Sequence, residues 1–272
     1  MKGSCKQAAS LPDKSEPSRF WVLGVSIDAI QISDAIARIE QWIAGRRECH
    51  YLTLTNVHVV MEAHRDAGFK AVLNQASMVC PDGMPLVWLG RLRGHREMQR
   101  RVYGPDLMWN FLSTTAGRGY RHFFYGGAPG VPEKMVAKFR RSFPVQVAGM
   151  YSPPFRPLSD AEDADVVRMI NDAAADVLWV GLGCPKQEWW MYKHRDRLNV
   201  PVMLGVGQAF NLHAGSVTPA PSWMREHGLE WLFRLCLEPR RLWRRYLIYN
   251  SQFLSLIALE ALRLKRFEHA AR

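Results

Sequence analysis

A single carboxylate at a corner of the chain is the first candidate for chemistry in this sequence. In the stretch MVCPDGMPLVW (residues 78–88), Asp82 stands between Pro81 and Gly83, after one apolar run and before the next. A carboxylate at the end of a strand can take a proton from a hydroxyl nucleophile and so act as a general base. The alternative is that Asp82 only caps the following helix, an interaction that stabilises a helix by about 1 kcal/mol. Residue types alone leave both interpretations open.

Arginines near the end of the chain form the second candidate group. Arg240 and Arg244 are four residues apart, as are Arg241 and Arg245, so each pair shares one face of a predicted helix. Pro239 stands where the first turn of that helix is expected, because its missing N–H costs nothing there. Guanidinium groups bind phosphate through two parallel hydrogen bonds and keep their charge. The spacing is therefore suited to a phosphorylated ligand.

An apolar stretch follows these arginines. The run YLIYNSQFLSLIAL is 14 residues long and is interrupted by the polar residues 250–252. It is too short and too polar to cross a bilayer, which needs about 20 apolar residues. An aromatic and arginine-rich amphipathic segment is typical of a helix that lies in a membrane interface. The alternative is a terminal helix that packs on the protein and exposes a basic face to solvent.

Other motifs give no support for a metal or a redox cofactor. YGGAPGV is not a GxGxxG motif, and no acidic residue stands about 20 positions beyond it to bind a ribose. No GxxxxGK[ST] motif occurs, and the nine histidines lack ligand spacing. The acids of DAD (163–165) match a metal-binding pattern, but Ser159 and Glu162 ahead of them predict a capping box instead. We therefore predict no metal and no cofactor.

The composition predicts a soluble α/β core with a basic end. A chain of 272 residues that is 48% hydrophobic can form one large domain, or one domain and an appendage. Five scattered cysteines without a CxxC pair argue against disulfides and zinc, and favour a reducing cytoplasm. Residues 234–272 hold nine Lys/Arg and three Asp/Glu, which is +6 of the net charge of +11. This imbalance indicates an anionic partner: nucleic acid, a phospholipid surface or a phosphorylated substrate.

The elements that must position these residues follow an alternating pattern. Strand-like runs such as HYLTLTN, RHFFYGG and DVLWVGLG alternate with helical patterns, one of which is VHVVMEAHRDAGFKAVLNQA (residues 57–76), directly after HYLTLTN. This order predicts βαβ units and a Rossmann-like fold, with a mostly parallel sheet and helices on both faces. FWVLGVSID is predicted as the first strand, and YSPPFRPLS as a loop because of its prolines. We predict a disordered leader at 1–19, a Rossmann-like domain at 20–221 and a membrane-associating appendage at 222–272.

Glycines end three of the predicted strands. They are Gly126 and Gly127, Gly181 and Gly183, and Gly205 and Gly207. Ligands of open α/β sheets bind beyond the carboxyl ends of the strands, where glycine lets the backbone approach a phosphate or a sugar. Such glycines also occur in tight turns that bind nothing, so the pattern alone does not decide between the two.

Seven segments occur in an order that is specific when they are taken together. They are TLTNVHVVMEA, CPDGMPLVW, RVYGPDLM, FFYGGAPGV, GLGCPKQEWW, GVGQAFNLHAGSVTPAPSWM and HGLEWLFRLCLEPRRLWRRYL. In these segments, across residues 20–249, the chain resembles the WecG/TagA/CpsF glycosyltransferase family, in the branch found in bacterial exopolysaccharide clusters. The last two segments are highly specific, and the others are individually modest.

The resemblance implies a fold and a reaction. Members have a Rossmann-like domain and a C-terminal appendage, and they act on the cytoplasmic face of the inner membrane as peripheral proteins. They transfer a sugar from a UDP-sugar donor to an undecaprenyl-diphosphate-linked acceptor, with inversion and without a metal. The expected partners of this chain are therefore that donor, that acceptor and an anionic membrane surface. Nucleic acid is not an expected partner, and a homo-oligomer is an open alternative to a monomer.

The resemblance also implies roles for individual residues. Asp82 falls on the position proposed as the base, and Gln187 on the glutamine of PKQE. Asn56 falls on the early polar motif, with Thr55 or Thr53 as its hydroxyl. The appendage arginines, at relative spacing 0, +7 and +10, fall on Arg234, Arg241 and Arg244.

A second group of residues completes the expected site. Gly126 and Gly127 are expected to bind substrate, and Arg101 and Asp106 are further candidate site residues, although an Arg101–Asp106 pair that supports the loop is an alternative. Glu188 either binds the nucleotide or supports its loop. Two positions depart from the family pattern: Asn211 stands where an acid is frequent, and Pro219 where an arginine is common. These departures leave the identity of the donor and acceptor sugars open.

Two functions of other classes are alternatives to a transferase. A nucleotide-dependent oxidoreductase needs a nicotinamide site, for which the glycine motif gives only weak support. A basic module that binds nucleic acid or membrane without catalysis predicts steeply salt-dependent binding to DNA or RNA. A transferase instead predicts stabilisation by UDP and association with anionic liposomes. The aromatic and apolar residues of the C-terminal stretch favour lipid over nucleic acid.

Overall fold

A six-stranded parallel sheet forms the centre of the computed structural model, which describes residues 17–46 and 48–267. Residues 1–16 of the predicted leader lie outside the described residues. The sheet order is β4-β3-β8-β7-β5-β6, and every neighbouring pair is parallel, as predicted. Its strands are β3 (His50–Thr55), β4 (Met78–Pro81), β5 (Arg121–Gly126), β6 (Gln146–Tyr151), β7 (Val177–Gly181) and β8 (Val202–Gly205).

Helices cover both faces of this sheet, which confirms the predicted Rossmann-like class. Ile39, Phe111 and Phe139 pack in the core on one face, whereas Phe69 and Ile170 belong to the core on the other. The helices of the domain are α1 (Ile32–Gly45), α2 (Val57–Arg65), α3 (Ala67–Asn74), α4 (Met84–Leu92), α5 (Gly104–Thr114), α6 (Val131–Ser142), α7 (Asp160–Asp172), α8 (Lys186–His194) and α9 (Ala209–His213).

The first predicted strand is a hairpin and not part of the parallel sheet. Strands β1 (Arg19–Val22) and β2 (Val25–Asp28) pair antiparallel, because Leu23 and Gly24 take positive φ angles of 51° and 85°. A two-residue turn in which both residues have positive φ matches the twist of the two strands in a tight hairpin. The buried Asp28 carboxylate accepts a hydrogen bond from the Val79 N–H at 2.6 Å and thereby ties the hairpin to β4.

The helical pattern after β3 is divided into two helices. Asp66 ends α2 and caps α3, since its Oδ1 accepts a hydrogen bond from the Phe69 N–H at 3.1 Å. An aspartate satisfies backbone donors at a helix start, so it favours a new helix over continuation of the old one. In the sequence, residues 57–76 form one helical pattern, because apolar residues continue on both sides of Asp66.

The predicted glycine ends occur on three strands that are neighbours in the sheet. Gly126 ends β5, Gly181 ends β7 and Gly205 ends β8. At Gly126, where φ is +123°, an added Cβ would lie 2.6 Å from the carbonyl carbon and oxygen of Gly181. The two backbones can approach this closely only because a side chain is absent. Glycine is therefore a packing requirement at this position, whatever else it contacts.

The predicted appendage is a chain of short helices that packs on the domain. It contains α10 (Ser222–Glu226), α11 (Glu230–Leu237), α12 (Pro239–Trp243), a π-helical turn (Arg244–Ile248) and α13 (Tyr249–Ala261). Pro239 starts α12, as predicted. Phe253 of α13 is only 3% exposed and belongs to the core that includes α2. Along the chain as described, no helix has both the length and the apolar character needed to cross a membrane.

Polar contacts also hold α13 on α2. The Tyr249 ring stacks on His58 with a centroid distance of 5.5 Å, and Arg65 Nη2 donates to Gln252 Oε1 at 2.7 Å. We refer to residues 222–267 as the C-terminal segment. Because α13 fastens its far end, the preceding helices α10 to α12 are held across the domain.

Gly126→Ala should lower the free energy of unfolding by about 2 to 4 kcal/mol, because it combines backbone strain with a clash against β7. The control is Gly45→Ala at the end of α1, where no atom lies within 4 Å of the added Cβ. It should leave stability unchanged or raise it by up to about 1 kcal/mol. Urea unfolding followed by circular dichroism measures both. Equal effects of the two substitutions would contradict the close β5–β7 approach.

Candidate active site

A cleft of about 360 Å³ lies between the carboxyl ends of the parallel strands and the C-terminal segment. Open α/β sheets bind ligands at this edge. From the strand ends, the wall includes Asn56 after β3 and Asp82 after β4. The opposite wall comes from the C-terminal segment and includes Glu230, Trp231, Arg234, Tyr246 and Asn250. The cleft therefore exists only where the two parts of the chain meet.

Asp82 is placed in the cleft by the end of β4. Its N–H donates to the Thr55 carbonyl oxygen at 2.8 Å, so the β3–β4 pairing continues one residue past the strand. Gly83 is the N-cap of α4, and no side chain caps this helix. The capping interpretation of Asp82 is therefore wrong. Asp82 Oδ1 is buried and has no hydrogen-bond partner among the described residues.

The surroundings of Asp82 make it a basic carboxylate. Burial raises the pKa of Asp82 to about 7, although the positive charge of Arg101 acts in the opposite direction. The negative charge of Glu230 raises it further. A carboxylate whose pKa lies near 7 can be unprotonated at neutral pH and still accept a proton efficiently, which is what a general base requires. Deprotonation, and with it base activity, increases as the pH rises through this value.

Arg101 lies beside Asp82, but the predicted Arg101–Asp106 pair is wrong. Arg101 Nη2 instead forms an ion pair with Glu230 of α11, and its guanidinium lies 4.1 Å from the ring centroid of Tyr103. Asp106 faces Arg225 of α10, with 3.8 Å between Oδ1 and Nη1. Both carboxylate pairs thus join the start of α5 and its preceding loop to the C-terminal segment. The acid that balances Arg101 is distant in sequence, so the local pattern suggested the wrong partner.

Gln187 and Glu188 occupy different places. Gln187 lines the cleft, where its Oε1 accepts from the Gly183 N–H at 3.2 Å. Its Nε2 donates to Glu188 Oε1 at 2.9 Å. Glu188 is fully buried and does not line the cleft, and burial raises its pKa to about 7. Of the two roles expected for Glu188, the geometry favours support of Gln187.

The early polar motif contributes one side chain to the cleft. Asn56 lines it and also caps α2, since its Oδ1 accepts from the Val59 N–H at 3.3 Å. Thr53 and Thr55 are fully buried within β3, and neither lines the cleft. Their hydroxyl oxygens have no hydrogen-bond partner in the described part of the chain. The role of either hydroxyl stays a prediction.

Only one of the three predicted clamp arginines reaches the cleft. Arg234 lines it and donates from Nη2 to Gln208 Oε1, which is also in the wall. Arg241 is exposed and pairs with Glu238 at 2.8 Å. Arg244 is exposed as well, on the π-helical turn. The assignment of Arg241 and Arg244 to a diphosphate stays a prediction.

The remaining predicted residues are not brought to the cleft wall. Gly126 ends β5 and Gly127 follows it, and β5 is separated from β8 by β7. Asn211 is half-buried on the short helix α9, where its carbonyl accepts from the Ser216 N–H at 2.9 Å. Their substrate-binding roles also stay predictions.

Sequence reasoning missed several residues of the wall. One of them is Glu230, which stands four residues before Arg234 and so shares a face of α11 with it. That spacing was the available signal, but nothing local showed that the acid would meet Arg101. Others include Tyr103, Gln208, Trp231, Tyr246 and Asn250.

The acids of DAD have a structural role. Ser159 Oγ accepts from the Glu162 N–H at 3.3 Å, and Glu162 Oε2 accepts from the Ser159 N–H at 2.8 Å, so the predicted capping box is confirmed. Asp163 accepts hydrogen bonds from His194 at 2.8 Å and Arg197 at 2.6 Å. Within residues 17–46 and 48–267, no group of three or more His, Cys, Asp and Glu side chains is arranged to hold a metal ion.

Fold and cleft together define an α/β enzyme whose candidate base lies at a strand end. Comparison with protein families is more specific, since the model of the glycosyl transferase WecG/TagA/CpsF family matches residues 20–267. The chain belongs to this family and is a glycosyltransferase. The match extends beyond the expected residue 249 and includes α13.

Several relatives share one activity in their names. A Bacillus spizizenii protein is 30% identical over 80% of this chain and 82% of its own length. A Bacillus subtilis protein is 31% identical over 77% of this chain and 79% of its own length. A Staphylococcus aureus protein is 26% identical over 86% of this chain and 91% of its own length. All three are named N-acetylglucosaminyldiphosphoundecaprenol N-acetyl-beta-D-mannosaminyltransferase.

Glu188→Gln should change how stability depends on pH. The folded-state pKa of Glu188 is raised from 4.5 to about 7, so its stabilising contribution is complete below pH 4.5 and is lost as the pH rises through 7. Relative to wild type, the variant should therefore gain about 2 to 3 kcal/mol of unfolding free energy between pH 5 and pH 8. Urea unfolding at several pH values measures this difference.

The matched control is Glu133→Gln on the exposed surface of α6. The difference in unfolding free energy between Glu133→Gln and wild type should be the same at every pH in this range. A difference for Glu188→Gln that is equally flat would contradict the burial of an ionisable Glu188.

Proposed function

We propose that this glycosyltransferase moves a sugar from a UDP-sugar to an undecaprenyl-diphosphate-linked saccharide, with Asp82 as the general base. One observation carries the proposal: the Asp82 carboxylate lies in the cleft at the strand ends with its Oδ1 buried, and this burial raises its pKa to about 7. The printed names of the relatives support the lipid-linked acceptor. The product belongs to bacterial exopolysaccharide or a related surface polysaccharide.

The reaction is a single displacement in this proposal. Asp82 takes the proton of the acceptor hydroxyl while that oxygen attacks the anomeric carbon of the donor. The bond between this carbon and the phosphate oxygen breaks, and UDP leaves with the electron pair. Attack from the face opposite to the leaving group inverts the anomeric centre. A base near neutral pKa suits this step, because it accepts the proton as the new bond forms.

Cationic side chains stabilise the leaving diphosphate without a metal. Arg234 lines the cleft from the C-terminal segment, and Arg101 lines it from the opposite wall, beside the sheet. Guanidinium groups placed where charge develops lower the transition-state energy. Arg241 and Arg244 would join them after a local rearrangement of the exposed π-helical turn, and Gln187 would orient the donor.

The sugars are proposed from the relatives. Their printed names specify transfer of N-acetylmannosamine to N-acetylglucosaminyl-diphosphoundecaprenol, so these are the first donor and acceptor to test. The departures at Asn211 and Pro219 are reasons to include other UDP-sugars in the panel. Release of UDP in the presence of a short-chain polyprenyl-diphosphate acceptor identifies the donor.

The C-terminal segment also supports a membrane-facing role at the cytoplasmic face of the inner membrane. Trp243 is 44% exposed and Leu247 51% exposed, and the basic residues Arg241 and Arg244 lie beside them. Exposed aromatic and aliphatic side chains among arginines are typical of surfaces that bind anionic lipid. Association there would bring the cleft to its lipid-linked acceptor.

Asp82→Asn should lower kcat by about 100- to 10,000-fold, because the amide cannot accept the proton. Binding of UDP should be retained, since the substitution preserves shape. Stopped-flow or coupled UDP-release assays measure the first quantity, and calorimetry the second. Asp160→Asn on the exposed start of α7 is the control and should keep full activity. Substantial turnover by the Asp82 variant would exclude this carboxylate as the base.

Replacing Trp243 and Leu247 together by Gln should weaken binding to vesicles that contain anionic phospholipid by at least about tenfold, because two apolar side chains lose their burial. Phe155→Gln is the control, since Phe155 is 89% exposed in the loop after β6. Vesicle co-sedimentation compares the variants with wild type. If all bind equally well, the C-terminal segment is not the membrane-binding surface.

A further inference from the structure

Arg101 has a defined orientation beside the candidate base. Its Nη1 donates to the backbone carbonyl oxygen of Asp82 at 3.4 Å, so the guanidinium reaches this residue. Its Nη2 forms the ion pair with Glu230. No ion pair between Arg101 and the Asp82 carboxylate is present in the described part of the chain, where Asp82 Oδ1 has no partner. Arg101 therefore touches Asp82 without neutralising its side chain.

Two groups hold Arg101 in this orientation. Glu230 takes one end of the guanidinium, and both side chains of the pair are only 14% exposed. The Tyr103 hydroxyl donates to Glu230 Oε1 at 3.2 Å, and its ring lies against the Arg101 guanidinium. The carboxylate is thus fixed by two partners and in turn fixes the arginine. Removing one member of such a shielded pair is strongly destabilising, because the remaining charge is left buried and unpaired.

Without Glu230, two carboxylates would remain near Arg101: Asp82, whose backbone it already contacts, and Asp106, which faces Arg225. Arg101 and Glu230 are the charged groups that act on Asp82, from the loop before α5 and from α11. A guanidinium forms strong charge-assisted bonds with a carboxylate. The Arg101 guanidinium would turn onto the Asp82 side chain and stabilise the charged form of that carboxylate. Asp82 would then be a poorer proton acceptor.

We propose that Glu230 is a positioning residue that keeps Arg101 off the Asp82 carboxylate and so leaves its Oδ1 available to accept the proton. The inference rests on the proposed role of Asp82. Because Glu230 belongs to α11, the base is competent only while the C-terminal segment is docked on the domain. The contact therefore couples docking to the chemical step, in addition to closing the wall of the cleft.

The test is the pH dependence of kcat/KM for Glu230→Gln in the full chain, measured by UDP release between about pH 5 and pH 9. The acidic limb should move to lower pH by roughly half a unit to one unit, because Arg101 now stabilises the charged form of Asp82. Activity on the plateau should fall about three- to tenfold, since a weaker base is a less efficient acceptor. A purely structural role of Glu230 would lower activity or stability without moving the limb.

Matched variants make the result specific. Arg101→Gln removes the other half of the pair and should move the limb in the opposite direction, to higher pH. Glu226→Gln makes the same charge change on the exposed surface of α10 and should leave the limb in place. Tyr103→Phe removes only the hydroxyl bond to Glu230, so it should give a smaller shift to lower pH. Tyr103→Phe replaces Glu230→Gln as the test variant if Glu230→Gln does not fold.

The outcomes distinguish the inference from the function on which it rests. One outcome is that Asp82→Asn is inactive while the acidic limb of Glu230→Gln coincides with that of wild type. This outcome overturns the positioning role of Glu230, and the assignment of Asp82 as the base stands. Tyr103→Phe takes the place of Glu230→Gln in this comparison if the latter does not fold. If Asp82→Asn is active, the base assignment itself fails. A shift to lower pH for the Glu230 variant and to higher pH for the Arg101 variant supports the inference.

Discussion

An ion pair between Arg101 and Glu230 joins the two parts of the chain that form the cleft. Arg101 belongs to the wall beside the sheet, whereas Glu230 belongs to the C-terminal segment. The pair is shielded from solvent, so its loss would leave a charge uncompensated next to Asp82. The electrostatics of the candidate base therefore depend on a residue about 150 positions away in sequence, and the cleft cannot be described from the Rossmann-like domain alone.

The fold supplies what this interaction needs. Parallel strands β3 and β4 end at the same edge, so the residues that follow them, Asn56 and Asp82, are neighbours although 26 positions separate them. The helix α13 buries Phe253 against the domain and fixes the far end of the C-terminal segment. Between these anchors, α11 lies across the strand ends. Packing at a distance from the cleft thus determines which charges meet inside it.

Much of the fold could be predicted from the sequence, because period, glycine ends and capping residues are local signals. The hairpin at Leu23 and the division at Asp66 were missed, since the apolar pattern continues through both. The candidate site was likewise predictable only in part. The place of Asp82 at a strand end followed from its neighbours, whereas its charged surroundings did not. An ion pair between residues far apart in the sequence produces no periodic pattern, so the sequence suggested the nearby Asp106 as the partner of Arg101 and did not suggest Glu230.

The proposed chemistry depends most on the protonation of Asp82 in the complete chain. A titration of its carboxyl group by carbon-13 NMR, with Asp82→Asn to assign the resonance, measures this without substrate. The account predicts a midpoint near pH 7, in accord with the burial that raises the pKa of Asp82 to about 7. A midpoint near pH 4, the ordinary range of an aspartate, would contradict it.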